Sequence, residues 1–206
     1  TGRRTYGTGN GKTGRRKAMN KERKTVTTIN GEKIDISPLE SEDDIPALTA
    51  FRQSLSTETQ TNFAPHNYTP GVIRVYIERN RKGEDLIYLA RAKDRVIAYF
   101  FLWEFDHPVP VLGIGIQDSY HGRGLGKQLM NILIEDARRA GKDGIALTVM
   151  LENTRAIHFY TSMGFLHTRY VENLQEGGKM IVEAEMFLPL REGAEAPVRK
   201  HKPPVL

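Results

Sequence analysis

Val111-Leu112-Gly113-Ile114-Gly115-Ile116-Gln117-Asp118-Ser119-Tyr120-His121-Gly122-Arg123-Gly124-Leu125-Gly126-Lys127-Gln128-Leu129 reads as an apolar strand, a short polar turn, a glycine-rich loop and the start of a helix. Glycines at alternate positions (Gly122, Gly124, Gly126) let the backbone turn tightly and approach a ligand closely. The helix that follows adds unpaired N–H groups and the positive end of its dipole. The guest suited to such a loop is a phosphate or pyrophosphate, and the plain alternative is a connection that binds nothing.

Working outward, residues 144–150 form a short buried strand and residues 153–163 a helix capped by Asn153 and ended by Gly164. Before the central stretch, two strands over 85–92 and 95–104 are joined by Lys93-Asp94. The second is apolar on both faces, as in a central strand covered on each side. A first strand is predicted over 33–37, and a helix from the Ser41-Glu42-Asp43-Asp44 cap to about Leu55. A second helix runs over 70–81 and stops at Gly83. Residues 56–69 read mostly as a loop carrying Phe63, His66 and Tyr68. A terminal hairpin turns around Gly177-Gly178.

Charge is unevenly placed. Residues 1–24 carry nine Lys/Arg against one Glu, and residues 191–206 four against two. The net charge of +5 therefore belongs to the ends, and the stretch between them is mildly acidic. Residues 1–24 are expected to be a disordered basic extension, 25–190 one domain, and 191–206 a tail. Met19 is a candidate start. The basic extension is read as solvated in preference to nucleic-acid binding. The chain has no cysteine, so thiolate nucleophiles, thiolate metal sites and disulfides are excluded. It has no apolar run long enough to span a membrane, and a cytoplasmic protein is expected.

Two phosphate-binding motifs fail on inspection. A dinucleotide site needs its third glycine one place later and an acidic residue ending the next strand, whereas Asp143 precedes its strand. A nucleotide P-loop needs glycine where His121 stands and Ser or Thr where Gln128 stands. The same motif fails at Gly11-Lys12, because Tyr6 holds the first glycine's place.

The chain resembles the GNAT superfamily of acyl-coenzyme A-dependent N-acyltransferases. His121-Gly122-Arg123-Gly124-Leu125-Gly126 matches that family's (Q/R)-x-x-G-x-(G/A) signature, with His in the first place. Asn153-x-x-Ala156-x-x-x-Tyr160-x-x-x-Gly164-Phe165 is similar to its companion block. The resemblance covers roughly residues 33–190. It implies an α/β (mixed α+β) fold: a mixed, mostly antiparallel sheet splayed between the fourth and fifth strands, with helices on both faces. It also implies acetyl-CoA as co-substrate and no metal.

The site residues follow from the resemblance. Backbone groups of Ile114, Gly115 and Ile116 would pair with the pantetheine arm. His121, Gly122, Arg123, Gly124, Leu125, Gly126 and Lys127 would hold the pyrophosphate mainly through backbone N–H groups, while Arg123 and Lys127 either add charge or are solvated. Asn153 contacts the coenzyme or simply caps its helix. Tyr160 would be the general acid beside the sulfur, and an N–H near Ile116 would face the oxyanion. Glu104 and Asp106 are the candidates for the base, with His107 as a further one.

The expected acceptor is an amine, whether a small amine, an amino sugar or a protein lysine. It would bind among the first two helices, the 56–69 loop and the terminal hairpin. A homodimer is compatible with this reading, and so is an acyl-CoA sensor that has lost catalysis.

Overall fold

The computed structural model describes residues 22–174 and 179–198. An opening hairpin, β1 (Lys24–Thr27) and β2 (Lys33–Pro38), precedes α1 (Asp44–Ser54), α2 (Thr57–Asn62) and α3 (Pro70–Lys82). Strands β3 (Leu86–Ala92), β4 (Arg95–Trp103) and β5 (Val111–Ile116) lead through the glycine loop to α4 (Leu125–Arg139). Then come β6 (Gly144–Met150), α5 (Thr154–Ser162), β7 (Leu166–Leu174) and β8 (Met180–Pro189). They form one sheet in the order β1-β2-β3-β4-β5-β6-β8-β7. Every pairing is antiparallel except the parallel β5–β6 pair.

β4 is buried along almost its whole length. Its Ala98, Phe100 and Leu102 join the core under α4 and α5, with Tyr88, Leu129, Leu133 and Phe165. Its Tyr99 and Phe101 join the core under α1 and α3, with Leu48, Phe51, Ile73 and Ile77. The doubly apolar sequence thus becomes a central strand because each face has a helical layer to bury it. The beta-turn that feeds it places Lys93 at φ 54°, as a two-residue hairpin with this twist requires.

Two elements carry too weak an apolar pattern to be predicted. β1 has one half-buried apolar residue, Val26, and is held by its pairing with β2 and by Lys24 Nζ, 2.8 Å from the buried Asp136. α2 has no buried residue. Its sequence offers only a cap, the Ser56 hydroxyl accepting the Thr59 N–H at 3.2 Å, so the expected 56–69 loop contains one and a half turns of helix. Ser41 also acts differently from expectation. Its hydroxyl takes the Asp43 N–H, and α1 starts beyond it at Asp44.

With β1 ahead of the first predicted strand, the splay falls between the fifth and sixth strands, which are the same two segments named by the sequence. The N-terminal edge of the sheet is at Lys24. Beyond β8, the segment 191–197 is tied to the sheet at several points. Ala194 and Ala196 lie on Val109, Ala146 and Phe187, Arg169 donates to the Pro197 carbonyl at 2.5 Å, and Arg191 pairs with Asp143 at 3.0 Å. The Gly177-Gly178 turn and residues 1–21 lie outside the described residues.

Candidate active site

β5 and β6 share a single recorded pair, Val111 with Ala146, anchored by the Ala146 N–H donating to the Pro110 carbonyl at 3.0 Å. Beyond that vertex the strands part. Antiparallel pairing alternates bonded and non-bonded residues. Gln117 N–H donates to Ile97 O at 2.8 Å, so Gly115 and Gly113 are the residues bonded to β4. The N–H and C=O groups of Ile114 and Ile116 therefore face the opening. One of these four groups is taken: His121 Nε2 lies 2.9 Å from the Ile116 carbonyl. The expectation of a fully free Ile116 backbone is corrected to a free N–H side. A strand edge left open in this way is a template for an extended amide-bearing ligand.

The two glycines of β5 carry a second message. A Cβ at Gly113 would lie 2.1 Å from the Phe101 ring, and one at Gly115 would lie 2.2 Å from the Phe63 ring. Both rings lie against the face toward α1 and α3. Side chains have been removed from this face of the strand so that aromatic rings can cover it.

At the open end, Gly122 and Gly124 both have φ 73°, a left-handed conformation that favours glycine. Gly122 has open space where its Cβ would be. The N–H groups of Gly122, Arg123 and Gly124 have no backbone acceptor among the described residues. Those of Leu125, Gly126 and Lys127 open α4, where no intrahelical carbonyl can reach them. Six consecutive amides without a backbone acceptor among the described residues thus stand at the positive end of the α4 dipole, donors of the kind an anion takes.

Leu125 itself is buried, so only its backbone is available to a ligand. Gly126 lies against Ile116 and Phe159, each 3.5 Å from where its Cβ would be. Arg123 lies 3.5 Å from Glu32 and 4.8 Å over the Tyr120 ring, while Lys127 is exposed. The β1–β2 turn braces the loop: Ile29 N–H donates to Arg123 O at 3.1 Å, and Gln128 Nε2 to Thr27 O at 2.8 Å. Neither brace was legible in the sequence, because each joins residues about a hundred positions apart.

Across the opening, Asn153 caps α5 by accepting the Ala156 N–H at 3.1 Å. Tyr160, on the inner face of α5, is 9% exposed. Burial pushes its phenol well above the usual range, so it holds its proton at neutral pH. Glu104 and Asp106 follow the end of β4, beside the vertex where β5 and β6 still pair (Trp103 opposite Val111, Val111 opposite Ala146). Glu104 is half-buried with φ 54° and donates its N–H to Asp85 at 2.9 Å. Asp106 is exposed and lies 3.0 Å from His107 Nδ1.

The aromatics of the 56–69 segment divide. Phe63 covers β5, but His66 is a core residue, 4% exposed. It is bonded to Asn67 O at 2.7 Å and Tyr99 OH at 3.1 Å, and stacked on Tyr76. Burial lowers its pKa to about 4. Among the described residues, the buried Tyr68 OH, Trp103 Nε1 and Gln117 Oε1 have no hydrogen-bond partner. No group of three or more metal-ligating side chains is found among the described residues, and none of the helices described is long and apolar enough to cross a membrane.

A mixed, mostly antiparallel sheet opened beside its central strand, with helices on both faces, is the fold of the GNAT acetyltransferases. The chain belongs to the acetyltransferase (GNAT) family, whose model matches residues 48–165. It is similar to N-alpha-acetyltransferase 30 of Saccharomyces cerevisiae, with 32% identity over 73 residues, 34% of this chain and 42% of that protein. The chain thus matches less than half of that relative's length.

Among solved structures it resembles the GNAT domain of S. lividans PAT, with TM-score 0.67, 17% identity, and 82% and 97% of the two chains covered. It also resembles yncA, a putative acetyltransferase from Salmonella typhimurium with acetyl-CoA as its cofactor. There the TM-score is 0.62, the identity 20%, and the coverage 79% and 96%.

Proposed function

We propose that the protein is an N-acetyltransferase that moves the acetyl group of acetyl-CoA to a primary amine by direct transfer. The observation that carries this reading is the open edge of β5 running into the amide cradle of residues 122–127. The pantetheine arm would pair with Ile114 and with the Ile116 N–H side. The pyrophosphate would lie on the cradle, with Arg123 and Lys127 adding charge and Asn153 at the far lip.

Acetyl-CoA supplies an activated acyl group with a thiolate leaving group. The protein must then supply a base for the amine, donors for the oxyanion and a proton for the sulfur. Tyr160, kept protonated by burial, is suited to give that proton. The Ile116 N–H is suited to the oxyanion. Glu104 is the better placed of the two acidic candidates for the base, because it is half-buried where Asp106 is exposed and already engaged with His107.

The acceptor amine would approach over the face covered by Phe63, Phe101 and Trp103. A wall of this kind suits an amine with apolar substance next to it. Because the yeast relative is an N-alpha-acetyltransferase, peptides with a free α-amine head the acceptor panel, followed by lysine side chains, polyamines and amino sugars.

The test is release of free thiol from acetyl-CoA across that panel, with acetyl-CoA binding measured by calorimetry. Turnover with at least one amine is expected. Tight acetyl-CoA binding without turnover would favour a sensor, and absence of binding would overturn the reading of the cleft.

A further inference from the structure

Asp118 begins the short turn that leads from β5 into the glycine loop, and its carboxylate reaches away from that loop to another part of the chain. One oxygen accepts the Ser56 N–H at 2.9 Å. The other accepts the Ser56 hydroxyl at 2.7 Å and the Thr59 hydroxyl at 2.6 Å. All three donors belong to the start of α2. This helix buries none of its own residues, so it lacks the apolar face by which short helices are ordinarily held. Its other ties are to α1: Arg52 donates to the Gln60 and Phe63 carbonyls at 2.9 and 3.1 Å, and Gln60 donates to the Leu55 carbonyl at 2.9 Å. At its end stands Phe63, whose ring occupies the space that a side chain at Gly115 would need.

We infer that Asp118 is a positioning residue: it clamps α2 to the donor loop and so holds Phe63 against β5 as the wall of the acceptor side. The inference rests on the proposed acetyl transfer and goes beyond it, since it ties the order of the acceptor wall to the loop that would hold the pyrophosphate. The chemistry suits a clamp. A carboxylate taking one N–H and two O–H bonds is the stronger, charge-assisted kind of acceptor. Burial alone would raise the Asp118 pKa, but the bonds from Ser56 and Thr59 outweigh it and hold the carboxyl well below the usual range. The clamp therefore stays charged throughout the neutral region. The Ser56 and Thr59 hydroxyls thus both face an acid that is 62 and 59 residues away in the chain.

The test uses the full chain with Asp118→Ala, Asp118→Asn, the pair Ser56→Ala/Thr59→Val, and Phe63→Ala. Asp118→Ala is expected to raise KM for the amine about tenfold while the acetyl-CoA Kd moves less than about threefold. Ser56→Ala/Thr59→Val should do the same, and combining the two sets should add little, since both remove one clamp. Phe63→Ala should shift the same KM, and Asp118→Asn, which keeps an oxygen acceptor, should restore part of it.

Amide hydrogen exchange over residues 57–63 should speed up in Asp118→Ala and in Ser56→Ala/Thr59→Val, with β4 and β5 protection unchanged. This arm reads the clamp even if no amine in the panel is turned over, a result that would count against the proposed transfer alone. Unchanged exchange over 57–63, additive effects of the two sets, or a loss confined to acetyl-CoA affinity would each overturn the inference.

Discussion

Arg155 Nη1 lies 3.0 Å from His121 Nδ1, and His121 Nε2 lies 2.9 Å from the Ile116 carbonyl. The arginine can only donate, so Nδ1 is the acceptor and the proton sits on Nε2, where it bonds Ile116. One neutral imidazole thus joins α5 to β5 across the open end of the splay. His121 stands where the family signature has Gln or Arg, and a glutamine could make the same pair of bonds. His121→Gln should leave the acetyl-CoA Kd within about threefold, whereas His121→Leu, which can make neither bond, should weaken it about tenfold. Calorimetric titration of the two variants checks this, and equal affinities would remove the bridge from the binding argument.

Gly115 has no room for a side chain. A methyl group there meets the Phe63 ring at 2.2 Å, a distance that forces movement. Gly115→Ala is expected to cost about 1–3 kcal/mol by overpacking or to expel Phe63 from the wall. Urea denaturation checks it, and Phe63→Ala in the same chain should recover most of the loss. A Gly115→Ala protein as stable as the wild type, with unchanged Phe63 packing, would contradict the close approach.

Tyr160→Phe retains the ring and its place among Phe159 and Phe165, so stability should hold. Turnover should drop about 10²-fold with the acetyl-CoA Kd nearly unchanged, as for a lost general acid. Glu104→Gln should lower turnover by a similar factor without changing the backbone at φ 54°, and Asp106→Asn should change it less than about twofold. Steady-state kinetics with the preferred amine decides; an unaffected Glu104→Gln enzyme would pass the base role elsewhere.

His66 supplies a pH dependence whose sign can be worked out. Burial lowers its folded-state pKa from 6.5 to about 4, so between these values the unfolded chain binds a proton that the folded chain refuses. Stability from this group is complete above about pH 6.5 and is lost as pH falls toward 4, on the order of 3 kcal/mol in all. Urea unfolding at pH 7, 5.5 and 4.5, compared with His66→Gln, isolates the contribution from that of the carboxylates. A difference between the two proteins that does not change across this window would refute it.

Much of the glycine loop and its flanking helices was legible because their determinants are local. Alternate glycines before an apolar-periodic helix, and Asn153 before Ala156, fix backbone shape within a few residues. β4 was legible because both its faces are apolar, and α3 because its apolar residues recur at helical spacing from Pro70 and Gly83 ends it. The segments proposed to flank the acceptor were less so. α2 has neither apolar periodicity nor a buried residue, and β1 has four residues with a single valine. His66 read as a candidate for the acceptor loop because nothing next to it in sequence shows that Tyr76 and Tyr99 enclose it.

The sequence by itself determined the order of the elements other than β1 and α2, the central strand, and the glycine loop that opens α4. It could do so because periodicity, caps and left-handed glycines act over one or two turns of chain. The tertiary structure alone decided which groups of that stretch are free. It bonded the Ile116 carbonyl to His121, laid Phe63 on Gly115, braced the loop with the β1–β2 turn, and turned Asp118 toward Ser56 and Thr59. Each of these depends on a partner brought close by folding, and a hydrogen bond or a ring contact exists only at that distance. The reading of Val111 to Leu129 as an open edge and an amide cradle is therefore completed by residues far from it in the chain.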